Sequence, residues 1–176
     1  MGYTGGTKAN PTYHSLGDHS ESIQIDYDPR VISYEELLKR FWAGHDPGAR
    51  SWSTQYKAAV FYHNDQQRKL AEETRDRIEA AQKIKVQTEI LPFSRFYVAE
   101  AYHQKYGLRW HSEFMREFRS IYPSDEAFMN STAAARVNGY LSGFGSSAAL
   151  REEIDSFGLS PEAERRLLEL VKKNGR

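Results

Sequence analysis

From Ser22 to Ile90 the chain switches back and forth between a two-residue and a helical hydrophobic period, and no other feature of the sequence limits its fold as much. Ile23, Ile25 and Tyr27 alternate with Gln24 and Asp26, which predicts a half-buried strand over Ser22 to Asp28, ended by Pro29. Ser33 followed by Glu36 makes a capping box. Tyr34, Leu37, Leu38 and Phe41 then fall at i, i+3, i+4 and i+7, so Ser33 to Trp42 reads as an amphipathic helix closed by Gly44 and Pro47. Tyr56 to His63 is a continuous apolar and aromatic run of strand length. Asn64 caps a long helix over about Asp65 to Lys83, with Leu70, Thr74, Ile78 and Ala81 as its inner stripe. Val86, Thr88 and Ile90 alternate with Gln87 and Glu89 as a further strand, stopped by Pro92. Strand, helix, strand, helix, strand in so short a span predicts helices packed on a sheet.

On either side the texture differs. The first 20 residues carry Gly, Pro, Asn, Thr and Ser with no period and read as an ordered loop. From Val98 onward short helical pieces are separated by Gly107, Pro123, Gly143 to Gly145 and Gly158. Ser112 to Tyr122 places Phe114, Phe118 and Ile121 on one face, and Ser147 to Phe157 does so with Leu150, Ile154 and Phe157. Ser160 and Pro161 open a last helix carrying Leu167, Leu168 and Val171. With no flexible linker in view, the expected organisation is an α+β domain over residues 1–106 and a helical C-terminal extension over residues 107–176 packed on it.

Charge narrows the partners. Lys plus Arg and Asp plus Glu both number 24, and neither sign is concentrated in one segment, so there is no electrostatic case for nucleic acid or an anionic membrane. A small neutral or zwitterionic substrate fits better. No apolar run approaches the roughly 20 residues of a membrane span and no signal architecture opens the chain, so a cytoplasmic location is the default expectation, with an upstream targeting segment left open; a monomer is expected as well. The chain has no cysteine, which excludes disulfides, thiolate metal sites and a thiol redox cycle of its own. His14, Asp18, His19 and Glu21 could be spaced as metal ligands. They lack a compact two-histidine pattern, and no metal is expected.

Several short motifs then follow in order: Gly2-Tyr3-Thr4-Gly5-Gly6, Asn10-Pro11-Thr12-Tyr13, Gly17-Asp18-His19-Ser20-Glu21, Tyr27-Asp28-Pro29, the stretch from Val31 to Pro47, and Thr54-Gln55-Tyr56 before an apolar strand. This series closely resembles the peptide methionine sulfoxide reductase A family from Gly2 to about Tyr106. Beyond that point the chain is more weakly similar to a branch with a helical C-terminal extension. The resemblance implies an α+β two-layer sandwich with a mixed sheet, a ferredoxin-like core, here lacking its first strand and helix. It implies thiol-dependent reduction of the S epimer of methionine sulfoxide, free or in proteins, as repair of oxidised proteins: an oxidoreductase acting on a sulfur group. The electrons would come through a sulfenic acid from thioredoxin or a small thiol, with no bound cofactor.

In that family a cysteine in a Gly-Cys-Phe-Trp-Gly motif attacks the sulfur, while a buried glutamate and two tyrosines bind and protonate the oxygen. By motif match the glutamate is Glu21 and the tyrosines are Tyr13 and Tyr56, with Asp18, His19, Gly5 and Gly6 supporting the pocket. The chemistry is coherent, because a sulfoxide oxygen becomes far more basic as the sulfur accepts electrons, and a carboxylic acid held in a dry pocket is a suitable donor. The apolar inner face of the strand beside Glu21 is expected to supply that dryness.

Two departures stand out. The cysteine motif is absent together with the strand and helix around it, and Ser51 stands where many relatives carry an acidic residue. An incomplete chain is the favoured expectation, because losing an internal strand exposes backbone donors and apolar surface in a domain with only about 5–15 kcal/mol to spare. A cysteine or selenocysteine would then lie upstream. The alternative is a non-catalytic remnant that binds methionyl peptides or a partner without turnover.

Overall fold

The computed structural model describes residues 1–174, which divide into two compact units, Met1–Glu100 and the chain from Ala101 onward. The division falls after Glu100, so Ala101 to Tyr106 goes with the helices rather than with the α+β part.

Among the described residues, the strands all lie in the first unit. β1 (Gly2–Thr4) is central to a three-stranded antiparallel sheet, between β2 (Ser20–Ser22) and β5 (Tyr97–Val98), with Tyr3 opposite Glu21 on one side and Tyr97 on the other. β3 (Ala59–Tyr62) and β4 (Glu89–Pro92) pair in parallel, Ala59 with Glu89 through Tyr62 with Pro92. A parallel pair needs a long crossover, and α2 (Asp65–Gln82) supplies it. Asn64 caps α2 by accepting from the Gln67 amide, as Ser33 caps α1 (Tyr34–Ala43) by accepting from Glu36. The two helices bury Leu38, Trp42 and Ala71 together with Val60 and Val86. In that core the Trp42 indole N–H donates to the Thr74 hydroxyl at 3.0 Å, which satisfies a buried donor. Tyr3, Leu16 and Ala99 form a second, smaller cluster.

Several expectations are corrected here. The first 20 residues are not all loop, since Gly2–Thr4 is a strand whose three residues are buried. The strand expected over Ser22 to Asp28 is confined to Ser20–Ser22, and Ile23 and Ile25 are 72% and 52% exposed. Alternation supplies a face, but a strand also needs a ladder partner, and the pairing with β1 ends at Ser22. Tyr56 lies in the turn before β3 rather than within it. The inner stripe of α2 is Ala71 and Thr74, flanked by Leu70 and Ile78, while Ala81 is exposed. The single mixed sheet is instead two pieces, one antiparallel and one parallel. An apolar groove of about 500 Å³ is lined by Ile23 and Ile25 beyond β2, Leu37 and Phe41 of α1, and Val60 and Phe61 of β3.

The second unit is helical: α3 (Tyr106–Arg109), α4 (Ser112–Ile121), α5 (Asp125–Asn130), α6 (Thr132–Leu141), α7 (Ser147–Glu153) running into a 3-10 turn (Ile154–Phe157), and α8 (Pro161–Asn174). Ser124, Ser131 and Ser146 each accept the amide hydrogen bond of a helix N-terminus. Leu108, Phe114, Phe118, Phe128, Leu150 and Leu167 are fully buried. Ile121, expected on the inner face of α4, is 39% exposed at its last position.

Replacing Thr74 by Val would keep the shape of the core but leave the Trp42 indole N–H buried without an acceptor. The expected cost is about 1–3 kcal/mol, read from the urea midpoint at unchanged slope. Adding Trp42→Phe to that variant should cost less than Trp42→Phe costs alone, because the orphaned donor is gone.

Candidate functional site

Glu21 is the middle residue of β2, and its backbone fixes the site before its side chain does. The Glu21 amide donates to the Gln55 carbonyl at 2.9 Å, and the Ser20 hydroxyl donates to the Thr54 carbonyl at 2.8 Å. These two bonds lay the segment Thr54 to Tyr56 along the side of β2 away from β1. Glu21, Gln55, Tyr56 and Tyr13 then form a continuous array. Gln55 Nε2 donates to Glu21 Oε1 at 2.6 Å and reaches the Tyr56 hydroxyl at 3.1 Å, which lies 3.4 Å from the Tyr13 hydroxyl.

The directions of these bonds follow from the donor inventory. The Gln55 amide carries two hydrogens and spends one on each oxygen, so Tyr56 accepts from Gln55, and either phenol can donate in the contact between Tyr56 and Tyr13. That bond to Tyr13, with desolvation second, pushes the Tyr56 phenol up to about 12, so it keeps its proton and remains a donor at neutral pH. Glu21 has Oε1 engaged by Gln55 and borders the apolar groove. It is half-buried rather than enclosed, which corrects the expectation of a dry pocket: the residues that would dry it, Ile23 and Ile25, are themselves exposed.

Tyr13 is held from another direction. One Glu100 oxygen accepts from the Tyr13 amide at 3.0 Å, and the other accepts from the Tyr3 hydroxyl at 2.6 Å. The carboxylate therefore ties the Tyr13 loop to the core of β1.

Asp18, His19, Gly5 and Gly6 lie together in the turn after β1. The Asp18 carboxylate accepts from the Thr7 amide at 2.8 Å, the Thr7 hydroxyl at 2.9 Å and the Lys8 amide at 3.3 Å. The Thr7 amide above all holds the acid down to about 2. His19, fully buried, accepts from the Gly6 amide at Nδ1, which leaves Nε2 to donate to the Lys8 carbonyl at 2.8 Å. Gly5 turns with φ +84°, and a Cβ on Gly6 would sit 2.6 Å from the His19 amide, so the chain passes too close there for any side chain. Ser51 closes a small turn, donating to the Ser53 carbonyl and accepting from its amide.

Sequence reasoning found Glu21, Tyr13 and Tyr56, and the structure brings these three together. Gln55 and Glu100 were missed. Gln55 stands inside the Thr-Gln-Tyr motif, so its signal was present, whereas Glu100 has no local signature because its partners lie 87 and 97 positions away.

The chain is similar to known proteins over most of its length. A family profile described as peptide methionine sulfoxide reductase matches residues 1–136, and one described as selenoprotein methionine sulfoxide reductase A, helical domain, matches residues 124–173. A peptide methionine sulfoxide reductase of Drosophila melanogaster is 38% identical over 164 residues, covering 92% of this chain and 65% of the relative. Peptide methionine sulfoxide reductase A5 of Oryza sativa subsp. japonica is 37% identical over 146 residues, covering 80% of this chain and 57% of the relative. The chain thus spans less than two thirds of the length of either. The solved structure of methionine sulfoxide reductase A of Corynebacterium diphtheriae superposes with a TM-score of 0.52 at 30% identity, covering 63% of this chain and 62% of that one.

The Asp18 turn generates a pH prediction. Its folded pKa of about 2 lies below the ordinary value of 3.8, so its contribution to stability is complete above pH 3.8 and is lost as pH falls through about 2. Asp18→Asn should unfold at lower urea than the parent at pH 7. The gap between the two should narrow between about pH 4 and pH 2; a gap that persists at pH 2 would show that the carboxylate charge is not what holds the turn.

Proposed function

The chain belongs to the peptide methionine sulfoxide reductase A family, and on that premise we propose that Glu21, Tyr13 and Tyr56 bind the oxygen of methionine-S-sulfoxide and protonate it as the sulfur is reduced. The observation that carries this reading is the array from Glu21 through Gln55 and Tyr56 to Tyr13, with Glu21 at the edge of an apolar groove. A sulfoxide is amphipathic in the same sense: a basic oxygen for the donors, a methyl group for the groove.

In the reaction, a thiolate or selenolate attacks the sulfur. The oxygen passes to the nucleophile as a sulfenic acid, the nucleophile loses two electrons, and methionine leaves as the sulfide. The sulfoxide oxygen gains charge during attack. Tyr56, which keeps its proton, stabilises it by hydrogen bonding, and Glu21, held at Oε1 by Gln55, has Oε2 left as the oxygen through which a proton reaches the substrate. Two equivalents of thiol, from a thioredoxin-type protein or a small thiol, then return the sulfenic acid to the thiol state with loss of water. No helix among the described residues is long and apolar enough to cross a membrane; the substrate of this reading is methionine sulfoxide, free or in proteins.

The absence of cysteine favours a second reading, since the sulfur nucleophile is not among these 176 residues. In that reading the same array binds methionyl sulfoxides without turning them over.

Titration of the purified chain with each epimer of methionine sulfoxide, followed by NMR, tests the binding claim. The S epimer should shift the Gln55 side-chain amide, and Glu21→Ala and Tyr56→Phe should each weaken it about five- to tenfold, in keeping with about 1–1.5 kcal/mol per hydrogen bond. Equal binding of both epimers, or indifference to both substitutions, contradicts it. With dithiothreitol as the thiol, turnover of the S epimer that is lost in Glu21→Gln would eliminate the non-catalytic reading.

A further inference from the structure

We propose that Trp52 forms a subsite for an apolar side chain next to methionine sulfoxide in a polypeptide, so that the site selects peptidyl substrates by their neighbours. The inference rests on Tyr56 being an oxygen-binding residue and deepens that reading by naming the substrate class. Trp52 is 83% exposed, although a tryptophan carries about 150–250 Å² of surface that favours burial. Elsewhere in this unit the same residue type is used as core: Trp42 is 7% exposed.

The exposed ring also sits on an anchored backbone. It packs on Tyr56 with centroids 5.2 Å apart and planes tilted by 44°. Its backbone is held on both sides, by the Ser51–Ser53 turn before it and by the bonds from Ser20 and Glu21 to Thr54 and Gln55 after it. An aromatic side chain has few rotatable bonds and binds an apolar group with little ordering cost, the property that enriches such residues in binding surfaces.

Distance bounds what the ring can reach. A methionine sulfoxide whose oxygen lies at the Tyr13 and Tyr56 hydroxyls leaves its backbone outside, and residues of an extended chain follow at about 3.4 Å each. A residue beside the methionine is then within reach of a ring centred 5.2 Å from that of Tyr56. The indole face offers dispersion contact to aliphatic or aromatic side chains and gives a small hydroxyl side chain much less.

The test uses the full chain and three blocked probes: N-acetyl-methionine-S-sulfoxide methylamide, and acetylated tripeptide amides with the same residue between two leucines or between two serines. Binding is followed by NMR at the indole N–H signal that Trp52→Phe removes. The leucine-flanked peptide should shift that signal and bind about tenfold tighter than the serine-flanked one, and Trp52→Ala should abolish the difference. Because Trp52 is exposed, its replacement leaves the core intact. Equal affinities for the two flanks, or a leucine preference that survives in Trp52→Ala, overturns the subsite while the oxygen-binding reading stands. If the single blocked residue does not bind, or binds Glu21→Ala equally well, the oxygen-binding reading fails and the subsite fails with it.

Discussion

The backbone bond from the Glu21 amide to the Gln55 carbonyl joins two stretches 34 positions apart, and the placement of Gln55 and Tyr56 beside Glu21 depends on it. Without it β2 has a neighbour on one side only, and the turn that carries Trp52, Gln55 and Tyr56 has no reason to lie beside Glu21. The Ser20 hydroxyl repeats the attachment one residue earlier. Two adjacent bonds of this kind fix direction as well as proximity, and this is why the Gln55 side chain can serve a carboxylate and a phenol at once. An array of side chains on loops is ordinarily imprecise. Here the loops are tied to β1 through Glu100 and to β2 through Gln55.

The first unit carries its strands as two separate pieces, and that arrangement sets the character of the site. Antiparallel pairing ends at Ser22, so Ile23 and Ile25 keep the alternation of a buried strand while standing in water. Together with α1 and β3 they border the groove that Glu21 also reaches. An acid at the edge of an apolar groove, with an amide on one oxygen and phenols nearby, suits a substrate whose polar and apolar ends lie on a single sulfur atom.

Much of this was legible in the residues. The capping serine of α1, the capping asparagine of α2, the Ser-Pro start of α8 and the inner faces of α4 and α7 are local signals, and the helices formed where those signals stand. The strands were read less well. Gly2–Thr4 gives no periodic signal because it is short and buried throughout, and Ser22 to Asp28 gives a strong one without the partner that would make it a strand. Pairing is a property of two segments and cannot be read from one. The same limit hid Glu100, whose value comes from residues at the far end of the unit. Glu21, Tyr13 and Tyr56 were visible through the order of their motifs, while the amide that connects them was passed over between two residues already singled out.

The central claim is that one sulfoxide oxygen is received by the Glu21–Gln55–Tyr56–Tyr13 array. Intermolecular nuclear Overhauser measurements with S-methyl-labelled methionine-S-sulfoxide bound to the chain test it most directly. The account predicts cross-peaks from the labelled methyl group to the Tyr56 ring and to the methyl groups of Ile23 or Leu37 at the groove. Cross-peaks confined to residues beyond Glu100, or to surface positions remote from Glu21, would contradict it.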